Sequence, residues 1–203
     1  LRIRDNTNGN LIDLTETSSY SFSASSSGQR SFDLLVGNPD VPQLTPEYRS
    51  LPAGWTMIGQ PLIPEPGLES LANVLLDDAG SYTYLYEPAG AMGYNEINGS
   101  DSLSPGEGIW VGAYQGFNWT MEGSVPLDGI EVPLIDGWNM MGYPLWSPSD
   151  KAVALVIWEG ETYSWYDAVN MGLISSTIYD YNSSNDYYFD VNDFEAWHGY
   201  WLT

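Results

Sequence analysis

"GWTMIGQPL" (residues 54–62) returns as "GWNMMGYPL" (137–145), with six of nine positions identical at a constant offset of 83. The first glycine of the phrase can take a turn conformation closed to other residues, and so launches a strand. Trp, Met and the second Gly then alternate with Thr56/Asn139 and Ile58/Met141, the period-2 pattern of a pleated strand. Proline has no N–H to donate, so the ladder stops at Pro61 and Pro144. The phrase is a strand with a defined entry and exit, written twice.

Two further landmarks extend the duplication. "SYTYLYE" (81–87) aligns with "TYSWYDA" (162–168) at an offset of 81, and "GEGIWV" (106–111) with "WHGYWL" (197–202) at an offset of 91. In the last pair Gly108 and Trp110 match Gly199 and Trp201. Offsets that drift only through loops mark an internal repeat. The expected architecture is mainly β, with two tandem homologous β-rich modules over 54–128 and 129–203, each holding at most one short helix. The helical stretches are "LESLANVLL" (68–76) and "SDKAVALVIW" (149–158). The second has a Ser149 N-cap and Val153, Val156 and Ile157 at helical spacing; its β-branched content equally fits a buried strand.

Upstream, "LRIRD", "NLIDLTE", "SYSFSAS" and "RSFDLLVG" within residues 1–37 are short runs of alternating character, with Tyr20 and Phe22 on one face and Phe32 and Leu34 on another. They are too few for a full sandwich. They are expected either to finish one begun before Leu1 or to pair with later strands. Residues 38–53, rich in Pro and Gly, have the composition of a linker.

Charge narrows the partners. Five Lys+Arg against 27 Asp+Glu leave a formal net charge of −22, which repels phosphate backbones and anionic lipid heads, so nucleic acid is excluded as a natural partner. No run of apolar residues is long enough for a membrane span. The chain has no cysteine, which rules out a disulfide framework and accords with export. It begins at Leu1 and reads as a mature or trimmed piece of a longer exported protein. With 9 Trp and 15 Tyr beside 21 Gly and 13 Pro, short strands and many turns are expected rather than long surface helices.

"GWNMMGYPL" followed by "YSWY" and a closing "GYWL" resembles a repeated β-module of secreted and cell-surface bacterial proteins. In that module a GWN-(L/M)-I-x-x-P-(L/V) strand opens and a P-G-x-G-(Y/I)-W-(V/I) strand closes. The resemblance covers about 51–203 in two copies, and the block before it is similar to the last strands of an Ig-like domain. It implies an extracellular or cell-surface location. The first copy keeps the closing phrase as "LSPGEGIWV", whereas "VNDFEAWHGYWL" in the second lacks the Pro-Gly turn.

Trp55, Trp110, Trp138 and Trp201 read as core anchors that hold strands together, with ligand stacking as the alternative. Tyr82, Tyr84 and Tyr86 fall on one strand face at i, i+2, i+4, and Tyr163 and Trp165 are placed as matching the first two. Such a row, if exposed, suits a polysaccharide, whose pyranose faces stack on rings; if buried, it is one side of the core. "DYNSSNDYYFDVNDFEAW" (180–197) has no counterpart in the first copy, and Tyr179, Tyr181, Tyr187 and Tyr188 in and beside it are further candidate contacts. Calcium would suit the oxygen-rich loops around Asp186, Asp190 and Asp193, or Asp77 and Asp78, although none matches the EF-hand pattern. Catalysis has little support. The single histidine, His198, stands alone, and no nucleophile-elbow, P-loop or dinucleotide motif is present. Two functions compete: a polysaccharide-binding module, and a structural surface, adhesion or filament subunit contacting neighbouring protein chains.

Overall fold

The computed structural model describes residues 48–80, 82–89, 93–126 and 130–203 in full, and the backbone of three strands nearer the N-terminus. The chain divides into two compact units, residues 1–42 and 43–203. In the first, β1 (Arg2–Asp5), β2 (Leu11–Asp13) and β3 (Phe32–Leu35) form an antiparallel sheet in the order β2-β1-β3. Three of the four expected runs are thus strands. The fourth, with Tyr20 and Phe22, lies outside the described residues.

The second unit is β-rich and sandwich-like. Its first half contains β4 (Tyr48–Leu51), β5 (Gly54–Gly59), β6 (Thr83–Pro88), β7 (Tyr94–Ile97), β8 (Gly108–Ala113) and β9 (Phe117–Thr120), with one helical turn, α1 (Leu71–Val74). Its second half contains β10 (Asn139–Gly142), β11 (Ser149–Asp150), β12 (Leu155–Trp158), β13 (Glu161–Ser164), β14 (Ile178–Asn182), β15 (Tyr187–Val191), β16 (Asp193–Phe194) and β17 (Gly199–Leu202), with α2 (Trp165–Met171). Residues 48–51 are not linker. β4 pairs with β9 in a two-stranded ladder, and the chain uses its last turn-rich residues, Pro52 and Ala53, only to turn into β5.

Each half has a four-stranded antiparallel sheet with the same wiring: β5-β8-β6-β7 in the first and β10-β17-β14-β15 in the second. The opening strand of the repeated phrase pairs with the closing G-x-W strand, and a hairpin follows. The register makes the correspondence residue by residue, because Tyr86 lies opposite Trp110 and Tyr179 opposite Trp201. The counterpart of "TYLYEP" is therefore "IYDYN" (178–182), and not "TYSW", as the sequence alignment placed it. The reason lies in local signals. Ser164 Oγ accepts from the Asp167 amide (3.2 Å) and donates to its carboxylate (2.6 Å), a cap that starts α2 at Trp165. Gly172, left-handed at φ 74°, ends the helix. "TYS" instead pairs with β12 through a turn at Glu159 and Gly160, both at positive φ. "SDKAVALVIW" is accordingly no helix: a single 3-10 turn at Lys151–Val153 leads into β12, an exposed strand.

The two halves meet at four glycines of the repeated phrases. A β-carbon on Gly108 would lie 2.7 Å from Met141 C, and one on Gly199 2.8 Å from Ile58 O. On Gly59 and Gly142 it would overlap the backbone of the other half. Only glycine permits so close a crossing. The approach is fixed by hydrogen bonds of matching form, Gly59 N–H to Trp197 O (3.0 Å) and Gly142 N–H to Gly106 O (3.0 Å).

Trp197 stands where the first copy has Gly106, in the same positive-φ conformation (73° against 98°), an arrangement strained for a bulky residue. Its ring explains the exchange. It leaves its own half and packs edge-on against Trp119 (4.7 Å) and Trp146 (5.6 Å) in the core of the first half, beside Ile58, Leu62 and Leu75. The Arg49 guanidinium donates to Trp197 O and to Met57 O (3.4 Å). Burial lowers Arg49 to about 10, with Asp180, Tyr200 and Glu195 acting in the opposite direction; the side chain remains a cation at neutral pH. Asp180, itself buried, meets His198 Nδ1 at 2.8 Å. The lone histidine thus belongs to the seam between the halves. The second core gathers Tyr143, Trp165, Ile178, Phe194 and Tyr200.

Candidate functional site

Alternation along β5, β6 and β8 gives the first sheet two unlike faces. Leu85, Ile58, Ile109 and Val111 point into the core. Trp55, Tyr84, Tyr86 and Trp110 share the opposite face. Trp110 is buried, but Trp55 is 42% exposed and Trp138 48%. The expectation that these two anchor the core is corrected. They do contact the closing-strand indoles, at 6.4 Å and 88° in both halves, but from the outer face, which the hydrophobic core does not cover. Trp201 is partly buried.

Around Trp55 this face opens into a groove with a volume of about 590 Å³, lined by Gly54, Gly112, Ala113 and the rings of Trp55, Tyr82, Tyr84 and Tyr114. Gly112 forms its floor: a β-carbon there would lie 2.6–2.8 Å from the Trp55 ring, so the indole lies flat against bare backbone. Tyr82 (73%), Tyr84 (50%) and Tyr114 (76%) stand well out in solvent, and Tyr82 and Tyr114 meet edge-on at 6.5 Å. Tyr82 holds φ 69°, a conformation uncommon for an aromatic residue. The tyrosine row of β6 is therefore the solvent face and Leu85 the buried one. Tyr86 is partly covered by Trp55, at 5.7 Å.

The other candidates separate. Trp165 is buried at the start of α2 against Phe194 (6.4 Å), which removes it from any surface platform. Tyr163 packs against the second core from β13. Tyr181 is partly buried, edge-on to Trp110 (4.9 Å), and donates to Asp186 (2.8 Å); burial and then this bond push its hydroxyl up to about 12. Tyr187 and Tyr188 are exposed. Tyr114 was missed. It lies in "GAYQG" just past the closing strand, and a ring set among turn residues was the available signal.

The acidic candidates are not gathered. Asp186 sits at the β14–β15 turn on Tyr181, Asp190 pairs with Tyr179 along β15, and Asp193 lies opposite Asp150. Among the described residues no three His, Cys, Asp or Glu side chains converge. Asp78 is used structurally, accepting from the Thr120 amide and hydroxyl (2.5 and 2.6 Å). The Asp77 carboxyl is pushed up by burial and by the Asp78 charge.

Fold and groove together define a class: a β-rich, sandwich-like protein with an apolar, ring-lined groove on an open sheet face. No protein-family model, curated protein or solved structure matches the chain. Among the described residues no helix is long and apolar enough to cross a membrane.

Proposed function

We propose that the chain is a non-catalytic module of an exported protein that binds polysaccharide in the Trp55–Tyr82–Tyr84–Tyr114 groove. One observation carries this reading: four rings stand in or beside solvent around a floor of glycine, with no charged side chain among the lining residues. Flat apolar rings match the C–H faces of pyranoses, and tyrosine hydroxyls offer hydrogen bonds at the rim. The likeness to secreted bacterial β-modules and the strongly acidic surface favour an extracellular setting.

Affinity electrophoresis through gels containing soluble glycans tests the proposal. The native chain is expected to be retarded on at least one neutral glycan, and Trp55→Ala and Tyr84→Ala each to weaken binding by about 1–3 kcal/mol. Free migration of the native chain on every glycan of a broad panel would overturn it.

The competing reading is a structural or adhesion subunit making protein–protein contacts. It is favoured by the β12–β13 ribbon, where Leu155, Ile157 and Trp158 are exposed, as is Val153 in the turn before it, and β12 has an unpaired outer edge among the described residues. Sedimentation at micromolar concentration separates the two, since self-association without glycan retardation supports the subunit.

A further inference from the structure

The aromatic face does not end at the groove. In the second half Trp138 meets Tyr179 at 5.8 Å and 53°, and Trp201 at 6.4 Å and 88°. In the first, Trp55 meets Tyr86 at 5.7 Å and 57°, and Trp110 at 6.4 Å and 88°. These are the same ring cluster built twice, each with a half-exposed indole at its outer end. Rings also join the clusters. Trp110 is edge-on to Tyr181 (4.9 Å) and Tyr188 (6.4 Å), which contact each other at 5.2 Å. Tyr188 lies opposite Tyr181 on the neighbouring strand, and burial raises its hydroxyl's pKa. Tyr179 and Tyr181 share one face of β14, with Trp201 opposite the first and Tyr188 opposite the second. Rings thus follow one another in a row from Trp55 through Trp110 and β14 to Trp138.

Two carboxylates flank the path in equivalent places. Glu96 lies opposite Tyr86, and Asp190 opposite Tyr179, both exposed and on the ring-bearing face.

Building on the groove reading, we propose that both clusters are subsites of one track, and that its ligand is a long, unbranched, uncharged polysaccharide spanning the two halves. A binder repeated at fixed spacing suits a ligand that repeats too. The flanking carboxylates accept hydrogen bonds from sugar hydroxyls, and with the net charge of −22 they repel uronic or sulfated chains. The second subsite is the smaller one, because Thr177 stands where the register puts Tyr84 in the first. A polymer that reaches both subsites gains by effective concentration, whereas a short oligosaccharide holds one at a time.

The test is calorimetric titration of the 203-residue chain with linear β-glucan and β-mannan, their tetrasaccharides, and polygalacturonate. Per binding site, the neutral polymer is expected to bind at least about tenfold more tightly than its tetrasaccharide. Trp138→Ala should collapse that ratio towards one, and Asp190→Ala, an exposed change, should lower it less. Retained melting temperature shows that each variant is folded. Equal polymer-to-tetrasaccharide ratios in the native chain and both variants would overturn the track while leaving the groove standing. Tighter binding to polygalacturonate than to the neutral chains would overturn it as well. No binding to any of these sugars would overturn the track, and the groove would then stand or fall on the broad glycan panel.

Discussion

The sequence reads Trp55 as a core anchor packing against the closing-strand Trp110, yet both faces of its strand carry apolar residues, Trp55 and Met57 on one and Ile58 on the other. Alternation marks two faces without saying which one meets the core. The partner strand decides: Ile109 and Val111 face inward with Ile58, and Trp55 lies on the other face over Gly112, with Tyr86 and Trp110 at its edges and the rest of the indole open to solvent. The tyrosines show the same limit, since their spacing could be read but their exposure could not. Burial raises the pKa of Tyr181 to about 12, and it also holds those of Tyr188 and Tyr200 above the ordinary tyrosine value. A hydroxyl whose folded pKa exceeds its unfolded one contributes stability that is complete below the unfolded value and is lost as pH rises through the folded value. Near-ultraviolet titration should therefore show a late-ionising group that includes Tyr181, near pH 12, and its ionisation should be accompanied by unfolding. Tyr181→Phe should reduce the late group's amplitude. A titration that lacks this late group, with the fold intact, would contradict the assignment.

Among the elements, the repeated phrase and the closing strand could be read because glycine, tryptophan and proline constrain the backbone directly. The middle of the second copy could not, because the added β12–β13 hairpin moves the true counterpart of β6 from 162–168 to 178–182. The sequence does carry one signal: Ser164 with Asp167 three residues on, and Gly172 beyond, a helix start and stop. The missing Pro-Gly turn of the second copy is likewise no loss of the turn. The backbone conformation persists and the side chain has changed, with Trp197 buried against Trp119 and Trp146. Trp197→Ala is expected to cost about 3–5 kcal/mol of stability in urea unfolding. Trp197→Gly should cost less, because glycine relieves the positive-φ strain while leaving the same cavity. Equal losses would mean that the strain is negligible.

At the scale of the molecule, the boundary expected between residues 128 and 129 divides two sheets but not two independent bodies. The first core contains a residue of the last turn, and Arg49 near the start of the described unit bonds the carbonyl of that same residue. Such cross-membership ties the halves into one cooperative transition. A chain ending at residue 126 is expected to lose near-ultraviolet circular dichroism and to expose the apolar surface that Trp197 covers. Adding the second half as a separate polypeptide should restore part of the signal, and a first half that folds alone with native spectra would contradict the interlock. The indole resting on Gly112 has an optical consequence. Trp119 and Trp197 already emit from a dry interior, so a ligand covering Trp55 dries a ring that water now reaches, and the protein's own fluorescence should shift to the blue as the groove fills.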